Sequence, residues 1–154
     1  MVKSAKPNEP KSVEARSIFQ VCLCHHVRKA ARSLTRTFDR ALTPCGLNYS
    51  QFNMLVVIAA LEPVQAPKVA GHMAMDRTTL SRNLKPLKQE GYIESEGGAG
   101  RRASIITLTP AGQAILAKGS ILWREAQRDL TQQLGTSRAG QLLDILGAPH
   151  SIVA

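Results

Sequence analysis

Acidic residues are scarce in this chain: 11 Asp and Glu stand against 20 Lys and Arg over 154 residues, for a formal charge of +9. With a pI near 10.0, that balance calls for an anionic partner, nucleic acid first and a membrane surface second. Aromatic residues are also few, 4% of the chain. A core built instead from Leu, Ala, Val and Ile favours helices packed on helices. No run reaches the roughly 18 apolar residues of a membrane span; the longest, MLVVIAAL from Met54 to Leu61, has the length of a buried helix or strand. Three cysteines form an odd set, and the opening MVKSAKPNEPK carries no apolar stretch of the signal-peptide kind. Both features fit a reducing cytoplasm and argue against a disulfide framework. The acidic residues are scattered, with no nucleophile motif, phosphate-binding loop or metal-spaced cluster. His25 and His26 have no zinc spacing. An enzyme is therefore not expected, and no cofactor is called for.

Residues 1–11 read as a disordered, mildly basic arm and 12–154 as one domain, long enough for a real core. From Ser12 to Leu42, Val27, Ala30, Ala31, Leu34, Phe38, Ala41 and Leu42 recur at three and four residues, predicting one long amphipathic helix. Arg28, Arg32, Arg36 and Arg40 lie on its polar side, and Thr43-Pro44 with Gly46 ends it. A second helix follows over LNYSQFNMLVVIAAL, with Asn48 and Gln51 spaced for a capping box and Phe52, Leu55, Val56 and Ala59 facing inward. APKVAGHM predicts a short helix with Pro67 in its first turn. Asp76 starts another, which Gly91 stops. The period then switches, and YIES and ASIITLT predict two strands joined by EGGAGRR. Thr109-Pro110 opens a long helix to about Gly135, and SRAGQLLDILG makes a last short one. The fold class is mainly α with a small β-hairpin wing. A winged helix-turn-helix over 48–109 is flanked by helices at 12–47 and 110–154. Their apolar stripes exceed what the central module covers, which predicts a homodimer.

The stretch DRTTLSRNLKPLKQEGY, Asp76 to Tyr92, carries the chemistry. Leu80, Leu84 and Leu87 share one helical face, while Arg77, Thr78, Ser81, Arg82 and Lys85 cluster away from it, with Thr79 in the same first turns. A solvated helix face accounts for such residues on an isolated helix. In a helix-turn-helix the second helix enters the major groove, where Arg reads guanine and Ser or Thr touch several bases. Arg101 and Arg102 end a glycine-rich loop between two strands, where a wing places cations on phosphates or in a minor groove. Two basic elements in this order favour double-stranded DNA as the partner. The alternative is an architectural DNA binder whose basic faces meet phosphates without reading sequence. Pro86 lies in the second half of this helix and is expected to bend it.

MDRTTLSRNLKPLKQEGYIES resembles the recognition helix and first wing strand of the MarR family of bacterial transcription factors. RRASIITLTPAG resembles the second wing strand and its run into the next helix. The likeness extends from Ser12 to Gly147. It implies a triangular homodimer with interlocked end helices, bound to a pseudo-palindromic operator, usually to repress, and released by a small molecule or by oxidation. Arg102 matches the family's wing-tip arginine and Arg101 the basic position beside it, while Gly100 stands where the family usually has an acidic residue.

The stretch VCLCHHV, Val21 to Val27, is the second of interest. Cys24 is in phase with Val27, Ala31, Leu34 and Phe38, on the buried or dimer-facing stripe, and Cys22 points about 200° away from it around a helix. The plain reading of Cys24 is a small core hydrophobe. The resemblance adds another, since the family's organic-hydroperoxide regulators carry a reactive cysteine at a similar place, where His25, His26 or Arg28 would stabilise a thiolate. A third reading gathers Cys22, Cys24 or Cys45 around a thiophilic metalloid across a dimer. A fourth is a small-molecule pocket, as the family has, with His25, Arg28, Arg32 and Trp123 as its lining. His72, in the short helix, is a packing or phosphate contact.

Overall fold

A computed structural model describes residues 13–97 and 104–147, which divide between Arg36 and Thr37 into two compact units. The expected arm at 1–11 and the wing tip with Gly100, Arg101 and Arg102 lie outside the described residues.

The first unit holds α1 (Val13–Val21) and most of α2 (Leu23–Leu42). A single long helix was expected here, and the helical run is instead interrupted at Cys22. The interruption is shallow, because Cys22 still donates its N–H to the Ile18 carbonyl at 3.0 Å and accepts from His26 N–H at 3.1 Å. The Cys22 sulfur takes the His25 N–H at 3.5 Å, a side-chain acceptor competing with the helical ladder. Apolar periodicity cannot report such a local exchange of acceptors.

The second unit begins with the last turn of α2 and a 3-10 turn at Thr43–Cys45. Asn48 then caps α3 (Tyr49–Leu61) through the reciprocal capping box with Gln51. Asp39 adds to it, its carboxylate accepting the Tyr49 N–H at 2.7 Å. Val56 corrects the expected inward face of α3, being 38% exposed. It follows Leu55 by one residue and so looks about 100° away from it.

After α3 come β1 (Val64–Gln65), α4 (Ala66–His72) and α5 (Arg77–Gln89). The corner between α4 and α5 closes with Ala74 in the left-handed region, φ 48°. Its N–H reaches Gly71 O at 3.2 Å and the Met75 N–H reaches Ala70 O at 2.9 Å, a Schellman pair built on alanine. The same motif ends α5, here with Gly91 at φ 70°. Tyr92 N–H bonds Leu87 O at 2.9 Å and Gly91 N–H bonds Lys88 O at 3.1 Å. Gly91 is the expected stop.

The two expected strands are present as β2 (Ile93–Glu96) and β3 (Ile105–Leu108). They pair antiparallel with Ile93 opposite Leu108 and Glu96 opposite Ile105. A third strand was not expected: β1 pairs with β3, Val64 opposite Ile106, so the sheet order is β1-β3-β2. Where β1 runs out, the Glu62 carboxylate takes the Leu108 N–H at 2.8 Å. α6 (Pro110–Leu134) starts at the Thr109 cap, and α7 (Thr136–Gly147) follows Gly135.

The core lies under α3, α4, α5 and the sheet: Leu42, Met54, Leu55, Ile58, Val64, Val69, Leu87 and Ile106 are all nearly inaccessible. Phe38 and Trp123 stack beside it with centroids 6.5 Å apart. Among the described residues no polar or charged side chain is fully buried, so apolar packing carries this unit.

Candidate nucleic-acid interface

The face expected to read DNA is held from below. Leu80, Leu84 and Leu87 are 2%, 5% and 0% exposed, while Arg77, Thr78, Ser81, Arg82 and Lys85 are all exposed. The helix runs on through Pro86 to Gln89. Thr79 differs from its neighbours. It is half-buried and its hydroxyl donates to the Asp76 carboxylate at 2.7 Å, while its N–H reaches the other oxygen at 2.8 Å.

Those two bonds, the Thr79 hydroxyl first and its N–H second, hold the Asp76 carboxyl below its ordinary range. A group whose folded pKa is lowered adds stability that is complete above its unfolded pKa and is lost as pH falls through the lowered value. The cap is therefore at full strength at neutral pH. Asp76→Ala is expected to lower the melting temperature at pH 7, and to matter less once the buffer is taken below the carboxylate range. Equal losses at both would show that charge is not what holds the cap.

Two links went unseen in the sequence. Lys88 donates to the Ser95 hydroxyl at 2.7 Å, tying the end of α5 to β2. Ser50, in the first turn of α3, donates to the Asn83 carboxamide oxygen at 3.3 Å. The first spans seven residues across a turn and the second 33, and no helical or strand spacing marks either.

The candidate sensing residues fall in both units. Cys22 is half-buried, Cys24 is exposed, and Cys45 is buried in the second unit, its thiol donating to Leu42 O at 3.0 Å. Cys24 is thus no part of a core within the single chain. His25 packs against Phe19 with centroids 4.7 Å apart, and its Nε2 is buried without a hydrogen-bond partner among the described residues. Arg28 and Arg32 are exposed, and His72 is exposed with Nδ1 3.1 Å from Lys68 O. No group of three His, Cys, Asp or Glu among the described residues is placed to hold a metal ion.

The second unit has a cavity of about 330 Å³ between α3 and α6. Phe52, Val56, Tyr49 and Trp123 give it an apolar and aromatic lining, and Asn53, Ser120 and Arg124 are its polar groups. Of the four residues nominated for such a pocket, Trp123 lines this one; His25, Arg28 and Arg32 belong to the first unit. No described helix is long and apolar enough to cross a membrane.

No family model matches the chain. Solved structures and curated proteins do. The transcriptional regulator MosR of Mycobacterium tuberculosis, crystallised in complex with DNA, is 37% identical, superimposes with a TM-score of 0.72, and is aligned over 82% of this chain and 93% of its own. The HTH-type transcriptional regulator MgrA of Staphylococcus aureus is 27% identical over 73% of this chain and 85% of its own. The match to YwoH of Bacillus subtilis, an uncharacterised HTH-type transcriptional regulator, is 24% identical over 56% of this chain and spans 64% of that protein, just under two thirds. The winged helix-turn-helix, the recognition-helix and wing motifs and these matches agree: the chain belongs to the MarR family of DNA-binding transcriptional regulators, which are not enzymes.

Proposed function

We propose that this protein acts as a homodimer that binds a pseudo-palindromic operator in double-stranded DNA, as a repressor, and leaves it in response to an effector. The observation that carries the reading is α5, with its leucine underside buried and its hydroxyl- and guanidinium-bearing face open to solvent. Arg77, Thr78, Thr79, Ser81, Arg82 and Lys85 enter a major groove, Thr79 chiefly by holding the helix N-terminus through Asp76. Arg101 and Arg102 meet the backbone or the adjacent minor groove. The MosR chain, solved with DNA, supports the class of partner.

Dimerisation is supported by apolar side chains that the single chain leaves open. In α1 and the start of α2, Val13 is 87%, Val21 74% and Leu23 80% exposed; in α7, Leu143 is 65% and Ile145 61% exposed. Apolar surface of this kind marks an interface. Effector release rests on the cavity, whose aromatic walls and cation, Arg124, suit a flat ligand carrying an anionic group. Thiol oxidation, or capture of a thiophilic metalloid, rests on the exposed Cys24 near Cys22 in sequence.

Selection of duplexes from a random library, followed by shift assays, tests the reading. A sequence-specific regulator is expected to prefer its selected duplex by about 10³-fold or more over random DNA. A preference below about tenfold with a steep salt slope would make the protein an architectural binder. Sedimentation at micromolar concentration is expected to give a two-chain particle, and a single-chain one would overturn the dimer.

A further inference from the structure

Burial of the leucine stripe under α5 sets which face of the helix turns inward, but the hydrophobic effect itself is non-directional and leaves the fine pitch to close packing and directional contacts. Hydrogen bonds are directional, and one side-chain bond joins α5 to α3. We propose that Ser50 and Asn83 form a polar tie that sets the pitch of the DNA-reading face, so that Asn83 is a positioning residue for sequence choice. The proposal rests on the operator-binding reading above.

Both ends of the Asn83 carboxamide are used within the protein. Its oxygen accepts the Ser50 hydroxyl at 3.3 Å, and its nitrogen donates to Thr79 O at 2.9 Å, one turn back along α5. That nitrogen also lies 3.8 Å from the Met75 sulfur, at the corner before α5. The residue is half-buried, unlike its exposed neighbour Arg82. Thr79, whose carbonyl it holds, is the residue that closes the Asp76 cap.

Ser50 is a firm anchor, since the first turn of α3 is fixed twice. The Asn48–Gln51 capping box closes it, and the Asp39 carboxylate of α2 takes the Tyr49 N–H at 2.7 Å. The polar line therefore runs from Asp39 through the start of α3 to Asn83 and the cap of α5. A small rotation of α5 would move its outward guanidinium by more than a hydrogen bond tolerates, so sequence choice is lost before affinity for DNA in general.

The test measures shift-assay affinities of full-length Ser50→Ala, Asn83→Ala, the double variant and Ser50→Thr. The probes are the duplex selected by the wild type and a random duplex. Each alanine variant is expected to reduce the preference about threefold to tenfold, the size of one net hydrogen bond. Affinity for random duplex should hold within about twofold. The double variant should be no worse than either single one, and Ser50→Thr, which keeps the hydroxyl, should retain the wild-type preference. Ser50→Ala deletes one hydroxyl oxygen, which keeps the test available should Asn83→Ala fold poorly. Wild-type preference in Ser50→Ala overturns the tie. So do losses that multiply in the double variant, as they would if Asn83 touched a base directly. Equal losses on both duplexes make the pair merely structural and overturn it too. A wild type with no preference for its selected duplex sinks the operator reading and this inference together, an outcome distinct from the other three.

Discussion

Gly112→Ala is expected to destabilise the folded chain by about 2–3 kcal/mol or more, against the intrinsic gain of about 1 kcal/mol that alanine brings to a helix. The sign is decided by space. Gly112 sits in the first turn of α6, where an added methyl would overlap the Tyr92 carbonyl oxygen and stand 2.9 Å from its carbon. The neighbouring atom is backbone and cannot rotate away. That backbone is also committed, because the Tyr92 carbonyl accepts the Thr109 N–H at 3.1 Å and the Thr109 hydroxyl donates to Gly91 O at 2.6 Å. Displacing it breaks the junction at which α5, the wing and α6 meet. Urea unfolding of the DNA-free protein reads the effect, and Gly71→Ala is the control. Gly71 lies in α4 with nothing described within 4 Å of its added methyl, so that variant is expected to gain up to about 1 kcal/mol. A neutral or stabilising Gly112→Ala would refute the close approach of α6 to the end of α5.

The second large effect is on recognition. Arg82→Ala is expected to flatten the choice among bases at one operator position by about 1–3 kcal/mol while binding persists. Arg82 is exposed on the helix face opposite the buried Leu80, Leu84 and Leu87, with Ser81 and Lys85 beside it. Arg102→Ala, at the proposed phosphate contact, should weaken all duplexes more evenly and reduce the salt slope by about one. Competition shift assays against every single-base variant of the selected duplex separate the two. An unchanged base profile in Arg82→Ala, with binding retained, would mean that α5 does not read sequence.

Much of this was legible in the chain because the signals were local. The Asn48–Gln51 box, the Asp76 and Thr109 caps and the Gly91 stop each depend on residues within a few positions of one another, and each stands where the spacing placed it. The leucine underside of α5 followed from its period alone. The misses are of another kind. β1 has two residues, too few for an alternation, and is defined only by its long-range pairing with β3. The interruption at Cys22 turns on a sulfur accepting the His25 N–H, which no hydropathy pattern encodes. Val56 reads as core in an apolar run where almost every residue is greasy, so the run has no polar side to set its phase. The seat of Trp123 could not be read in advance either, because it meets α3 residues across the fold, a conjunction that only tertiary packing creates.

The Glu62 carboxylate has a consequence for colloidal behaviour. It occupies the Leu108 N–H where β1 has run out, so that amide of the middle strand is not offered to another chain. The edges of the sheet are then a strand of only two residues and β2, which carries Glu94 and Glu96. Short or charged edges are poor templates for strand addition. A concentrated solution of this protein is thereby guarded against fibrillar growth through its wing.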